Sequence, residues 1–206
     1  MKSIILSSKI EIDKYEKINF LIDQDLLKFI SDINCNILPI SLKKNKIDKN
    51  CLKLSSGLIL SGGGDIYEHK KNQINKIRDT YEKYLFNYFL KRNKPILLIC
   101  RGFQLITNFK NGKLFKIKNH VRTFHSLNLK KNKFIKYKKL NVNSYHNYAV
   151  KKLPRNFLNI ASTKDGSIEI AEHKNKKVLC LMFHPERKMK SKKLIFKSIK
   201  NFFRKI

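Results

Sequence analysis

The sequence predicts an α/β fold: a mostly parallel central sheet flanked by helices, with an added small antiparallel β region. Three stretches predict it. Ile96 to Ile99 form an unbroken aliphatic run behind Pro95, as expected of a central strand buried on both faces. Gly57 to Leu60 form a second apolar run, followed at once by Ser61-Gly62-Gly63-Gly64-Asp65. A third run, Val178 to Phe183, ends in His184-Pro185-Glu186-Arg187. In such sheets ligands gather at the carboxyl ends of the strands, so the residues after each run are the candidates for chemistry.

Taken in order, Ser3 to Ser7 read as a first strand. Ile18, Leu21, Ile22, Leu26, Phe29 and Ile30 recur near helical spacing and predict a helix over about 17–31. Asn36 to Ile40 read as a second strand closed by Pro39, and 41–50, rich in lysine and asparagine, as a solvated loop. After the glycine run, Ile74, Ile77, Tyr81, Leu85 and Phe89 predict an amphipathic helix over about 73–92 leading into the Ile96 strand. Phe103, Leu105, Ile106 and Phe109 predict a helix after Gly102. From 113 to 150 short β-like pieces alternate with turns: 114–117, 126–129, 134–136 and 140–145. Asn159 to Ser162 and Ile168 to Glu172 flank the turn signal Lys164-Asp165-Gly166 and read as a hairpin. Leu194, Ile195, Ile199, Phe202 and Phe203 predict a last helix over about 191–204.

At 206 residues the chain reads as one domain, 1–206. No run of about 18 apolar residues suggests a membrane span, and the amino terminus does not read as a signal peptide. Cys35, Cys51, Cys100 and Cys180 lack paired short spacing. They suggest neither a disulfide framework nor a zinc site, and point to a reducing, cytoplasmic setting. The net charge is +31. Its lysines are spread along the chain, and no nucleic-acid motif accompanies them. That spread argues against nucleic acid as the main partner and leaves room for an anionic small substrate.

Cys100 sits where the Ile96 strand turns into a helix. A helix amino terminus stabilises a thiolate, and the corner has the logic of a nucleophile elbow. On that stretch alone a buried structural cysteine serves equally well. The glycine run lacks the lysine and helix of a phosphate loop. It is either an oxyanion hole of backbone N–H groups or an ordinary turn. His184 supplies a base for Cys100, and Glu186 can orient its ring.

Five stretches together carry a family resemblance: Ser61-Gly62-Gly63-Gly64-Asp65, Ile99-Cys100-Arg101-Gly102-Phe103-Gln104, Val142-Asn143-Ser144-Tyr145-His146, Asp165-Gly166-Ser167-Ile168-Glu169 and His184-Pro185-Glu186. In kind and order they resemble class I glutamine amidotransferases, most closely the γ-glutamyl hydrolase branch. The resemblance implies a flavodoxin-like domain with Cys100 as nucleophile, His184 as base and acid, and Glu186 as orienting group. It implies an oxyanion hole of backbone N–H groups from Gly63, Gly64 and Arg101. Arg78 would bind the α-carboxylate of a glutamyl group, and Gln104, Ser144 and His146 would line its pocket. No cofactor and no metal are implied. The stretch Asn119-His120-Val121-Arg122 looks most like that of hydrolases acting on a γ-glutamyl-linked nucleoside phosphoramidate, γ-glutamyl-CDP-amidate, in surface-polysaccharide modification. His120 and Arg122 would then face phosphate. The implied partner is a small γ-glutamyl substrate, and a homodimer is compatible with the reading. The alternative is a glutaminase subunit that feeds ammonia to a separate synthetase. A basic nucleic-acid-binding protein on an inactive amidotransferase fold is the third reading. Two departures stand out. Leu98 occupies a position two residues before the nucleophile where the family usually has glycine, and Asn147 and Tyr148 follow His146 in place of a histidine and a glutamine.

Overall fold

The computed structural model describes residues 2–204 apart from 39, 41, 44, 45 and 48. The strands are β1 (Lys2–Leu6), β2 (Lys9–Ile12), β3 (Ile18–Leu21), β4 (Cys35–Leu38), β5 (Leu42–Lys43), β6 (Lys46–Ile47), β7 (Gly57–Leu60), β8 (Ile96–Ile99), β9 (Lys113–Lys116), β10 (Val121–Asn128), β11 (Lys139–Tyr145), β12 (Tyr148–Lys152), β13 (Phe157–Ser162), β14 (Ile168–His173) and β15 (Val178–Leu181). The helices are α1 (Gln24–Asp32), α2 (Lys49–Leu54), α3 (Gln73–Lys91), α4 (Arg101–Phe109) and α5 (Lys192–Arg204).

Seven strands form the central sheet in the order β13-β14-β15-β8-β7-β1-β4. The five from β15 to β4 run parallel, while β14 pairs antiparallel with both β13 and β15. Strands β7, β8 and β15 are wholly buried, which explains their unbroken aliphatic sequence. Their carboxyl ends place Ser61, Cys100 and Met182 side by side, because Leu60 pairs with Leu98 and Leu181 with Ile99. The helix α3 carries the chain from β7 to its parallel neighbour β8. Leu98, the residue that departs from the family pattern, is fully buried between Leu60 and Cys180 in the neighbouring strands.

Smaller antiparallel pairs, β10–β11 and β12–β9, lie at residues 113–152, as the sequence predicts. Other expectations fail for local reasons. The helix expected over 17–31 begins only after Asp23, whose carboxylate accepts from Asp25 N and caps α1. Ile18 to Leu21 are instead a strand paired with β2, and β2 itself was not expected. The loop expected at 41–50 contains the two-residue strands β5 and β6 and the start of α2. Pro39 lies outside the described residues. The piece at 134–136 is no strand, because the Asn132 side chain accepts from Phe134 N and Ile135 N and folds the backbone into a turn. Among the described residues no helix is long and apolar enough to cross a membrane.

Candidate active site

Cys100 occupies the N-cap of α4 with φ 45° and ψ −100°. Positive φ is strained for a residue with a Cβ, and here it throws the side chain out of the strand line at the sheet's carboxyl edge. The corner is held on both sides. Cys100 N donates to Leu181 O (2.8 Å), and Gln104 N donates to Cys100 O (3.0 Å). A Cβ on Gly102 would stand 2.6 Å from Leu60 O, so only glycine lets α4 seat this close to β7. With Leu98 packed flat in the core, the elbow forms without glycine at that position. Cys180 makes the contrast. It is fully buried within β15, and burial, with Glu172 nearby, pushes its thiol well above the usual range, so it is inert.

His184 lies three residues beyond β15. Its Nδ1 is 2.6 Å from Glu186 Oε1, which leaves Nε2 for the Cys100 sulfur. Burial opposes a charge on the ring. The charge of Cys100, its hydrogen bond, and Glu186 together outweigh that and raise His184 to about 10. Two neighbours fix the imidazole. Asn143, fully buried on β11, accepts from His184 N (2.9 Å) and donates to His184 O (2.8 Å), clasping the histidine backbone. Gly62 lies against the ring, and a Cβ there would meet His184 Cε1 at 2.5 Å.

The glycine loop is aimed by Arg78. Its Nη1 donates to Gly63 O (2.6 Å), and its Nη2 donates to Ser61 Oγ (3.0 Å) and Gly62 O (3.2 Å). In a trans peptide the N–H points opposite to the preceding carbonyl. With the Gly62 and Gly63 carbonyls turned to Arg78, the N–H groups of Gly63 and Gly64 face the other way. Both glycines have positive φ, 82° and 75°. Arg78 is itself buried, and its Nε pairs with Glu82 Oε1 at 2.9 Å. The structure therefore gives it a loop-holding position, not the open carboxylate-binding position that the resemblance implies. The Arg101 side chain, unremarked in the sequence, closes the same buried network by pairing with Glu82 and Asp79 and donating to Asp65 O (3.0 Å). Burial works against the Glu82 charge, but Arg101 and Arg78 hold its carboxyl below the usual range.

A cleft of about 410 Å³ opens beside this edge, lined by Gly62, Gly63, Gly64, His184 and Glu186 and also by Leu21 and Ile22. Lys9 and Arg187 also line it. The segment whose spacing imitates the start of a helix thus contributes to its lining.

The other expected pocket residues are placed differently. Gln104 Nε2 donates to Tyr148 O (2.7 Å) and ties α4 to β12. Ser144 Oγ donates to His120 O (2.7 Å). His120 and His146 are buried and turned toward one another, with Nδ1 to Nε2 at 3.3 Å. Asn119 and Arg122 are exposed on the β10 side, Arg122 at a bulge with φ 57°. The structure thus puts His120 in an internal cluster and not on an open cationic wall. Sequence reasoning missed Glu82, Asn143 and Glu169 as functional positions. Asn143 and Glu169 fall within the motifs that carry the resemblance, but their partners are distant in sequence.

The family model for peptidase C26 matches residues 11–186. The chain belongs to the peptidase C26 family. This member is 35% identical over 160 residues to the γ-glutamyl-CDP-amidate hydrolase of Campylobacter jejuni, covering 77% of this chain and 76% of that protein. It is 31% identical over 163 residues to a glutamine-hydrolyzing GMP synthase subunit of Methanocaldococcus jannaschii, covering 78% of each. Among solved structures, a glutamine amidotransferase of Thermotoga maritima superposes with a TM-score of 0.67 at 19% identity, covering 97% of this chain and 83% of that one. The class I glutamine amidotransferase fold expected from the sequence is the fold of this peptidase C26 member.

Proposed function

We propose that the chain hydrolyses the γ-glutamyl amide bond of a small conjugate through a Cys100 thioester. The observation that carries this reading is Cys100 at a strained elbow with His184 against it and Glu186 2.6 Å behind. The Cys100 sulfur attacks the γ-carbonyl carbon and a C–S bond forms. The resulting oxyanion is received by N–H groups of Gly63, Gly64 and Arg101. The C–N bond then breaks, and His184 gives its proton to the departing nitrogen. A water, losing a proton to His184, attacks the thioester and releases glutamate and the free cysteine. Glu186 keeps the ring oriented through both steps.

The Campylobacter relative supports γ-glutamyl-CDP-amidate as substrate, and a step in surface-polysaccharide phosphoramidate synthesis is what the motif resemblance adds to that reading. Since Arg78 is spent on the glycine loop, the anionic groups of the substrate meet Lys9 and Arg187 at the cleft, with Arg122 reaching a nucleotide phosphate. The Methanocaldococcus relative favours a second reading, a glutaminase subunit serving a synthetase.

Both are tested by incubating the purified chain and its Cys100→Ala variant with glutamine, simple γ-glutamyl amides and γ-glutamyl-CDP-amidate, and assaying glutamate. Cys100-dependent release from the amides but not from glutamine is the expected result. Release from glutamine that needs a synthetase supports the second reading, and no release from any substrate overturns both.

A further inference from the structure

Two strands along the sheet edge from Cys100, beyond β15, His120, His146 and Glu169 converge. All three are buried, and their donor atoms lie within 4.8 Å of one another. Glu169 stands at the same level as the catalytic edge, since its carbonyl accepts from Met182 N (2.8 Å).

The hydrogen bonds around the cluster fix what faces inward. His146 Nδ1 is 3.1 Å from Tyr148 O, a pure acceptor, so Nδ1 carries the hydrogen and Nε2 presents a lone pair in the neutral ring. His120 Nε2 is 2.7 Å from Asp165 Oδ2, which likewise leaves its Nδ1 a lone pair. These two lone pairs stand 3.3 Å apart. Glu169 Oε1 lies 3.4 Å from His146 Nε2 and 3.9 Å from His120 Nδ1. A third ring nitrogen, His125 Nε2, is 3.1 Å from His120 Nδ1. The second Glu169 oxygen is buried without a hydrogen-bond partner. Ser167 Oγ donates to Glu169 Oε1 (2.7 Å) and His125 Nε2 is within reach of His120 Nδ1, but His146 Nε2 and Glu169 Oε1 still face one another as acceptors, an arrangement that a bound cation would satisfy.

We infer that His120, His146 and Glu169 form a three-residue binding site for a divalent cation of the zinc class. For metal–nitrogen bonds of about 2.0–2.1 Å, a tetrahedron has edges of about 3.4 Å, and the three separations among these ligands, 3.3 to 3.9 Å, bracket that value. Neutral histidines with one carboxylate suit zinc better than magnesium or calcium, which prefer oxygen. The outer contacts are those a zinc histidine requires, one ring bonded to a carboxylate and one to a backbone carbonyl. Three protein ligands leave one position for water, and the ion holds the cluster together. It pins the ends of β10, β11 and β14 together, and β11 carries the Asn143 clasp on His184. The expectation of no metal rests on cysteine spacing, which these histidine and carboxylate ligands bypass.

The test uses the untagged full chain. Zinc content after dialysis, and cobalt(II) titration followed by visible absorption, should give one ion per chain with a tetrahedral nitrogen–oxygen spectrum. His146→Ala and Glu169→Gln should abolish binding. Asp165→Asn, at a half-exposed position that leaves folding intact, should weaken it about 10- to 100-fold. Cys100→Ala should bind as the wild type does. Failure of the folded wild-type chain to bind one ion overturns the site. A thiolate-to-cobalt charge-transfer band, or loss of binding in Cys100→Ala, places the ion at the nucleophile and also overturns it. Because the cobalt spectrum is read on wild-type protein, a variant that fails to fold does not blunt the test.

Discussion

Two buried polar clusters flank Cys100, and they are built on opposite rules. On the α3 side, Arg78 and Arg101 meet Asp79 and Glu82, so two cations face two anions and each guanidinium lies against carboxylates and loop carbonyls. On the β11 side, two histidine lone pairs and a carboxylate oxygen face one another. The first cluster is complete and acts by rigidity, turning the Gly62 and Gly63 carbonyls away so that the loop N–H groups face the cleft. The second leaves His146 Nε2 facing a carboxylate oxygen and the other Glu169 oxygen without a hydrogen-bond partner. A buried network is stable when every member is satisfied and costly when one is not. The two sides of the nucleophile should therefore respond to mutation in different ways.

The largest effect should come from opening the complete cluster. Arg101→Met strands Asp79 in the interior and leaves Glu82 only Arg78, and removing one partner of a buried pair costs about 3–5 kcal/mol. Urea denaturation should show this as a lowered midpoint with unchanged slope, whatever metal is present. Next is Asn143→Ala, which leaves the His184 N–H and carbonyl unpaired in a buried setting. That costs about 1–3 kcal/mol and should lower kcat more than it raises KM. Gly62→Ala forces the His184 ring aside by steric contact. Its stability should change little, while a displacement near 1 Å lowers kcat about 100-fold. In the second cluster, Glu169→Gln in metal-free protein should cost under about 1 kcal/mol, since it relieves a carboxylate facing lone pairs. The same change in zinc-loaded protein should remove the whole zinc-dependent increment in Tm. Equal losses with and without zinc would erase the distinction between the clusters.

The pH dependence sharpens the same contrast. His184 is raised from 6.5 to about 10 by Cys100 and Glu186, against the effect of burial. A raised value means the charged pair's stabilisation is complete below about 6.5 and is lost as pH climbs through about 10. The alkaline limb of kcat/KM should fall near that upper value if the proposed acylation uses the His184 proton. Glu186→Gln, which removes a charge and weakens a hydrogen bond, should move the limb to lower pH. An unmoved limb would mean that Glu186 does not support the histidine charge.

What could be read in the sequence was local and contiguous. The Cys100 corner, the glycine run and His184-Pro185-Glu186 each follow an apolar strand, so strand periodicity alone brings them to one edge. The Leu21 and Ile22 part of the cleft lining was hidden because Ile18, Leu21 and Ile22 mimic helical spacing with Leu26, while the true helix starts at the Asp23 cap. The role of Arg78 was hidden for a different reason. Its acceptors include backbone carbonyls of Ser61, Gly62 and Gly63, 15 to 17 residues earlier, and no residue pattern marks a carbonyl. The His120 cluster combines both difficulties, since 26 residues separate His120 from His146 and 45 separate His120 from Asp165.

Formation of a glutamyl thioester on Cys100 is the central claim. Rapid acid quench of the chain with a γ-glutamyl amide, followed by intact-mass and peptide mass spectrometry, tests it most directly. One added glutamyl group is expected on the peptide that carries Cys100, absent from Cys100→Ala and accumulating in His184→Ala if deacylation slows more than acylation. Undiminished glutamate release by Cys100→Ala would contradict it.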